Sequence, residues 1–349
     1  MAVDKLLLRA PNWIGDTIMM LPALRALRRC FPGTRIDVMA LSRTAPLLEN
    51  HPDLDRLIPF DPGWNLTQRH RFFREVRRER YPLGILFTGS FRSALFFRLA
   101  GVQRRVGYAT DHRRLLLSAA VRRPDDYRSR HYQYYCLDLL ANGLELEVCR
   151  GRLPVAPASP RIYLTKEELA AARRRLKKEQ IGDENPLVGL VAAATYGPAK
   201  RWPAERFAET ADRLARSHDA HVLLFGSRAE LELLTELRSL VKESDRALNL
   251  AGKTSLRETA ALMTCCDVVI ANDTGTMHVA YAVGTPVVAL FGSTQPLWTG
   301  PLGEGHVVLH HDVGCNPCFR KRCPKESMLC FDAITTDEVV AAAQAILQR

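Results

Sequence analysis

From Lys5 the chain reads KLLLRA, an apolar run of strand length, then PNWIGD, a turn, then TIMMLPALRALRRC, whose apolar positions recur with a helical period. A break at FPG and a second apolar run, RIDVMAL, complete a β-α-β unit. The same layout restarts at PLVGLVAA (Pro186 to Ala193), with a Gly-Pro turn, an amphipathic stretch from Pro203 to Arg216 and a strand at HVLLFG. It continues through a helical Glu230 to Glu243, a strand at ALNLAG, a helix from Ser255 to Cys265, a strand at DVVIAN, a helix from Gly275 to Val283 and a strand at PVVALFG. Apolar strands without polar alternation, each separated by a helix, predict parallel sheets covered on both faces. Two such runs predict an α/β protein with two Rossmann-like domains, whose ligands sit at the carboxyl ends of the strands.

Between the runs lie RLPVAPASP and TKEELAAARRRLKKEQ, the latter patterned as a solvent-bathed helix. The boundary is expected near Pro160, giving domains at 1–160 and 161–349. A chain of 349 residues, 47% hydrophobic and 25% charged, supports two such cores. No apolar run approaches the ~18 residues of a membrane span, and Asp4 and Lys5 interrupt any export signal, so a cytoplasmic protein is expected. Nine cysteines, an odd count, then suggest reduced thiols rather than disulfides.

The net charge of +11 is concentrated: Arg69 to Arg130 holds sixteen arginines and no lysine against five acidic residues. Guanidinium forks match phosphate and carboxylate, which suggests a phosphorylated or membrane-surface partner; the alternative is a solvated basic face. The charge alone would permit nucleic-acid binding. With no zinc-finger His pair, no RNP-like aromatic pattern and no basic helix with heptads, no nucleic-acid partner is expected.

Candidate chemistry begins at ANDTGTMHVA, Ala271 to Ala280. An aspartic protease needs two Asp-Thr-Gly turns in β-rich surroundings, and this chain has one among alternating strands and helices. The other reading is a phosphate seat: the strand runs into Asn272 and Asp273, and Thr274 and Gly275 open a helix whose first N–H groups are free. Thr274 can cap that helix or donate a hydroxyl, Gly275 lets an anion approach, and His278 lies one turn in, to touch ligand or to pack. A second strand-to-helix turn, TYGPAKRWP, carries Thr195 at its start and Lys200 and Arg201 at its mouth. Neither G-x-x-x-x-G-K-[ST] nor G-x-G-x-x-G occurs, so a nucleotide diphosphate bound in another way is expected. In the first domain, Asp16 follows the first strand, as a helix cap or as a catalytic carboxylate.

Taken together, PNWIGDTIMMLPALRALR, GPAKRWP and NDTGTMHVAYAVGTPVVALFGSTQP resemble the bacterial ADP-heptose:lipopolysaccharide heptosyltransferases, glycosyltransferase family nine, and most of all their branch II. The resemblance spans nearly the whole chain. It implies the GT-B fold, two Rossmann-like domains facing across a cleft, with acceptor on the N-terminal domain and sugar nucleotide on the C-terminal one. It implies that Asp16 is the general base for inverting transfer of heptose from ADP-heptose to the first heptose of the lipopolysaccharide inner core. Lys200 would stabilise the departing diphosphate, Thr274, Gly275 and Thr276 would add donors, and Thr195, Asp273 and His278 would line the same donor site. Glu230 would sit where the family holds the nucleoside; its other reading is a surface helix glutamate. Where the family usually reads Pro-Gly-Ala, this chain has Ala192-Ala193-Ala194 followed by Thr195-Tyr196, which leaves the backbone contacts there open.

By the same resemblance the partners are ADP-heptose and a lipid A–core acceptor at the inner face of the cytoplasmic membrane. A monomer peripherally attached there would gain about 1 kcal/mol per basic residue near the surface. No cofactor is required for the reaction. A related enzyme of this fold with another donor or acceptor is the alternative.

Two further features stay open. Cys315, Cys318, Cys323 and Cys330 form a C-x2-C-x4-C-x6-C array that suggests a structural zinc or, otherwise, a thiol-rich loop. Trp13, Trp202 and Trp298 border the proposed cleft segments, either to stack on sugar or adenine or to anchor the core.

Overall fold

In the computed structural model, which describes residues 3–144, 159–325 and 327–349, the chain divides into two compact units, Met1–Tyr163 and Leu164–Arg349. The division lies three residues beyond the expected boundary at 160.

In the first unit, β1 (Lys5–Arg9) leads through α1 (Ile14–Met19) and α2 (Leu21–Cys30) to β2 (Arg35–Leu41) and β3 (Arg56–Phe60). There follow α3 (Leu66–Arg78), β4 (Leu83–Leu86), α4 (Phe91–Leu99), β5 (Arg104–Tyr108), β6 (Ala119–Val121) and α5 (Tyr132–Gly143). All neighbouring strands are parallel, in the order β3-β2-β1-β4-β5-β6. Leu6, Leu7 and Leu8 are wholly buried because helices cover both faces of β1.

The second unit opens with α6 (Lys166–Lys178) and then repeats the plan: β7 (Leu187–Val191), α7 (Ala204–His218), β8 (His221–Leu224), α8 (Leu231–Leu240), β9 (Ala247–Asn249) and α9 (Leu256–Met263). It closes with β10 (Val268–Asn272), α10 (Gly275–Ala282), β11 (Val287–Leu290), α11 (Pro296–Thr299), β12 (Val307–Leu309), α12 (Leu329–Asp332) and α13 (Thr336–Leu347). Its parallel sheet runs β12-β11-β10-β7-β8-β9. Val188, Leu190, Ile270, Val288 and Leu290 from this sheet form one core with Phe207, Phe331 and Val339 from the helices.

In both sheets the strand order reverses beside the unit's first strand, between β1 and β4 and between β7 and β10. Loops leaving two such strands diverge to opposite faces, and the crevice they open is where doubly wound sheets place ligands. PNWIGD leaves β1, TYGPAKRWP leaves β7 and NDTGT leaves β10, so the three motifs occupy the two switch points.

Four expectations change. PNWIGD is not wholly a turn, since α1 begins at Ile14 and Asp16 lies in its first turn. The long helix expected after it is divided at Met20, with Pro22 inside the first turn of α2, where a missing N–H costs nothing. The helix read as solvent-bathed, α6, buries Ala172 and Leu176 against α9. Arg257 joins them by donating to Glu168 (2.6 Å) and holds that carboxyl below its usual range. Cys30 is disulfide-bonded, a departure from the expected reduced thiols, whereas the other seven described cysteines are free. Among the described residues no helix is long and apolar enough to cross a membrane.

Candidate functional site

In the second unit the geometry starts from Asn272, the last residue of β10 and wholly buried. Its Nδ2 donates to Ala192 O (2.7 Å) and its Oδ1 accepts from Trp202 N (3.1 Å). One side chain therefore ties the end of β7, the end of β10 and the loop between β7 and α7. Trp202 is only 2% exposed and donates Nε1–H to Ile334 O (3.0 Å), which settles it as a core anchor.

With those ends tied, Lys200 meets Asp273 across the switch point, Nζ to Oδ2 at 2.5 Å. Thr294 Oγ1 also donates to Oδ2 (2.6 Å) and Thr299 Oγ1 to Oδ1 (3.3 Å). The buried Asp273 carboxylate is thus surrounded by donors and acts as a mount for Lys200. Beside it α10 begins: Thr274 is the N-cap in extended conformation but makes no side-chain cap bond. Its hydroxyl is not spent on the helix, and the first amides, at the positive end of the helix, have no intrahelical acceptor. Thr274, Gly275 and Thr276 are partly exposed, whereas His278 is buried and pairs with the Tyr281 hydroxyl (3.0 Å). His278 therefore packs behind the turn.

The TYGPAKRWP loop is braced from outside by the cysteine-rich segment. Ala199 N donates to Lys321 O (3.1 Å) and the Tyr196 hydroxyl to Phe319 O (2.8 Å). Gly197 is required by this approach, because a Cβ there would lie 2.4 Å from Lys321 O. Lys200 and Lys321 flank the Tyr196 ring at 5.5 and 5.7 Å, while Thr195 is exposed at the rim. The buried Arg201 Nε and Ser293 Oγ have no hydrogen-bond partner among the described residues.

The four cysteines of that segment lie at different depths. Cys315 and Cys318 are exposed, Cys323 Sγ points to Ser327 O (3.9 Å), and Cys330 is buried, which pushes its thiol pKa up. Among the described residues no group of three or more His, Cys, Asp and Glu is arranged to hold a metal ion. The loop is held by Asn316 instead, whose amide donates to Gly292 O (3.2 Å) and His311 O (2.9 Å) while its Oδ1 accepts from Val313 N (3.0 Å).

Glu230 stands on a different loop, after β8. Its Oε2 accepts from Ser227 N (2.8 Å) and Oγ (2.9 Å) in a capping box, so one carboxylate oxygen already has a folding role.

In the first unit, the loop leaving β1 is fixed by Arg9, a buried guanidinium that donates to Asn12 Oδ1 (2.5 Å) and lies 4.5 Å over the Phe60 ring. Burial without a carboxylate lowers its pKa to about 9. Thr17 Oγ1 donates to Pro11 O (3.3 Å), and Arg43 Nη2 donates to Asn12 O (3.2 Å). Asp16 is therefore carried on a rigid turn, half exposed, at the third position of α1. Across from it stand Tyr132 and Cys136 of α5, whose ionisation is disfavoured first by burial and then by the Asp16 charge.

Arg9, Thr294 and Thr299 were not visible as site residues in the sequence. Thr294 sits within FGSTQP, but only the return of β11 to the switch point makes its hydroxyl a partner for Asp273.

A family model described as glycosyltransferase family 9 (heptosyltransferase) matches residues 69–329. The lipooligosaccharide heptosyltransferase 2 of Haemophilus influenzae is 32% identical over 313 residues, 87% of this chain and 88% of that protein. The lipopolysaccharide heptosyltransferase 2 of Salmonella typhimurium is 32% identical over 308 residues, 86% of each chain. The solved structure of E. coli ADP-heptose LPS heptosyltransferase II superposes with a TM-score of 0.84 at 28% identity, covering 99% of this chain and 98% of that one.

Proposed function

Because the chain belongs to glycosyltransferase family 9 (heptosyltransferase) and has the GT-B fold, we propose that it transfers heptose from ADP-heptose to the first heptose of the lipopolysaccharide inner core. The named activities of the relatives support this choice of donor and acceptor.

The reaction is a single displacement. Asp16 accepts the proton of an acceptor hydroxyl, the hydroxyl oxygen bonds to the anomeric carbon, and the bond from that carbon to the diphosphate breaks, releasing ADP with inversion. Negative charge grows on the leaving diphosphate, where Lys200 and the amides of Thr274, Gly275 and Thr276 meet it as preorganised donors. This reading routes no step through a cofactor. The N-terminal unit takes the acceptor and the C-terminal unit the sugar nucleotide, with Thr195 at the rim and Glu230 toward the nucleoside. The arginine-rich stretch draws the enzyme, as a monomer, to anionic lipid A–core acceptors at the inner face of the cytoplasmic membrane.

The observation that carries the proposal is the Lys200–Asp273 pair beside the α10 N-terminus. Thermal-shift titrations with ADP, UDP, NAD⁺ and a short DNA duplex test it. Selective stabilisation by ADP that Lys200→Ala weakens is expected; a response to UDP alone would discard the donor, and a response to DNA alone the site.

A further inference from the structure

Folding does not explain one exposed side chain of the first unit. Elsewhere the chain starts helices with reciprocal capping pairs: Asn65 with Gln68, Thr165 with Glu168, Ser255 with Glu258 and Thr335 with Glu338. In such pairs the N-cap and third helical side chains meet on one side of the first turn. In α1 these two positions hold Trp13 and Asp16. An indole accepts no helix N–H, so α1 forgoes a cap, and Trp13 is left 57% exposed.

The loop presenting it is nonetheless rigid, through the Arg9–Asn12, Thr17–Pro11 and Arg43–Asn12 hydrogen bonds. The Arg43 guanidinium lies 5.4 Å from the indole centroid, which orients the ring by cation–π attraction. A large apolar plate is thus held in water, one helical turn from a carboxylate, where neither core packing nor capping requires it.

We propose that Trp13 is the platform on which the acceptor's sugar ring stacks, and that Arg43 fixes this platform; the proposal rests on reading Asp16 as the base. A pyranose ring has a C–H face that suits an indole and a rim of hydroxyls. Stacked on Trp13, the ring turns its rim toward the neighbouring position on the first turn, which is Asp16. Because the indole has only two rotatable angles and is already oriented, little freedom is lost when the sugar binds. Trp13 is a positioning residue: it accepts no proton and makes its contribution by aligning a hydroxyl with the carboxylate.

The variant that separates this role from a structural one is Trp13→Ser, which supplies the missing N-cap. Kinetics are measured with saturating ADP-heptose and a de-acylated lipid A–core acceptor carrying one heptose. Trp13→Ser is expected to raise the unfolding midpoint while raising the acceptor KM about tenfold, with the ADP dissociation constant unchanged. Trp13→Phe recovers most of the loss, and Arg43→Ala reproduces part of it. Acceptor binding by calorimetry in an Asp16→Asn background keeps the two readings apart. If Asp16→Asn turns over normally but Trp13→Ser still weakens acceptor binding, the platform stands and the base assignment falls. An unchanged acceptor KM in Trp13→Ser and Trp13→Ala, both folded, overturns the platform.

Discussion

Each unit carries a tryptophan between its first strand and the following helix, and the two have opposite fates. Trp202 is 2% exposed, hydrogen-bonded to Ile334 O and packed edge-on against Phe207 at 5.0 Å. Trp13 is 57% exposed, with the Arg43 guanidinium 5.4 Å from its ring centroid. The sheets share one strand order and one switch point, so topology does not explain the contrast. The second unit ties its loops from within, through Asn272 and Trp202, and so fixes a cation and free amides, as suits the proposed diphosphate, a ligand of constant shape. The first unit ties its loop by the hydrogen bonds of Arg9 to the Asn12 side chain and of Arg43 to the Asn12 carbonyl and leaves Trp13 outward, as suits the large acceptor proposed for it.

The largest effect should come from the first unit. Asp16→Asn keeps the size of the side chain and removes the proton acceptor, so kcat should fall by about 10²–10⁴ while ADP affinity stays within twofold. Normal turnover would remove the base assignment. Lys200→Ala should lower kcat by about 10²-fold and also weaken ADP binding, measured by single-turnover transfer and calorimetry. An effect on only one of the two would break the proposed link between ground-state and transition-state diphosphate binding.

Trp202→Ala should cost about 3–5 kcal/mol in denaturant unfolding, against almost nothing for Trp13→Ala. Equal costs would erase the contrast between the two loops.

A pH effect should belong to the first unit. His51 is buried, edge-on to the Tyr163 ring at 5.0 Å. Burial lowers its pKa to about 4, assisted by Arg25 and opposed by Asp53. The folded state thus keeps His51 neutral while the unfolded chain protonates it near its ordinary 6.5, so stability is full above that value and falls between about 6.5 and 4. The full loss is about 3 kcal/mol, and His51→Gln should flatten this part of a stability–pH curve.

The smallest effect concerns Glu230. Glu230→Gln keeps an acceptor for the Ser227 cap, so stability should change by less than about 0.5 kcal/mol. ADP affinity should fall severalfold if the carboxylate also meets the nucleoside; unchanged affinity leaves Glu230 a cap alone.

Much of this was legible in the chain because parallel strands buried on both faces are written as unbroken apolar runs: KLLLR, LVGLV and VVIAN are all buried strands. Weaker strands were not. RRVGY begins with two half-exposed arginines and AAV has three residues, too few to show a period. Lys200 and Asp273 were each named from their loops, but their pairing depends on β7 and β10 being neighbours, a relation across 73 residues that no local pattern encodes. The start of α1 was misplaced for a physical reason: its N-cap is a tryptophan, and the usual Ser, Thr, Asp or Asn signal is missing. The cysteine spacing reports which thiols are near in sequence and not their depth: Cys330 is buried while Cys315 and Cys318 are exposed.

The central claim is tested most directly by incubating the purified protein with ADP-heptose and a lipid A–core acceptor carrying one heptose, then weighing the acceptor by mass spectrometry while following ADP release. One added heptose per ADP, lost in Asp16→Asn, is the predicted result. No transfer from ADP-heptose, with transfer from a UDP-sugar under the same conditions, would contradict it.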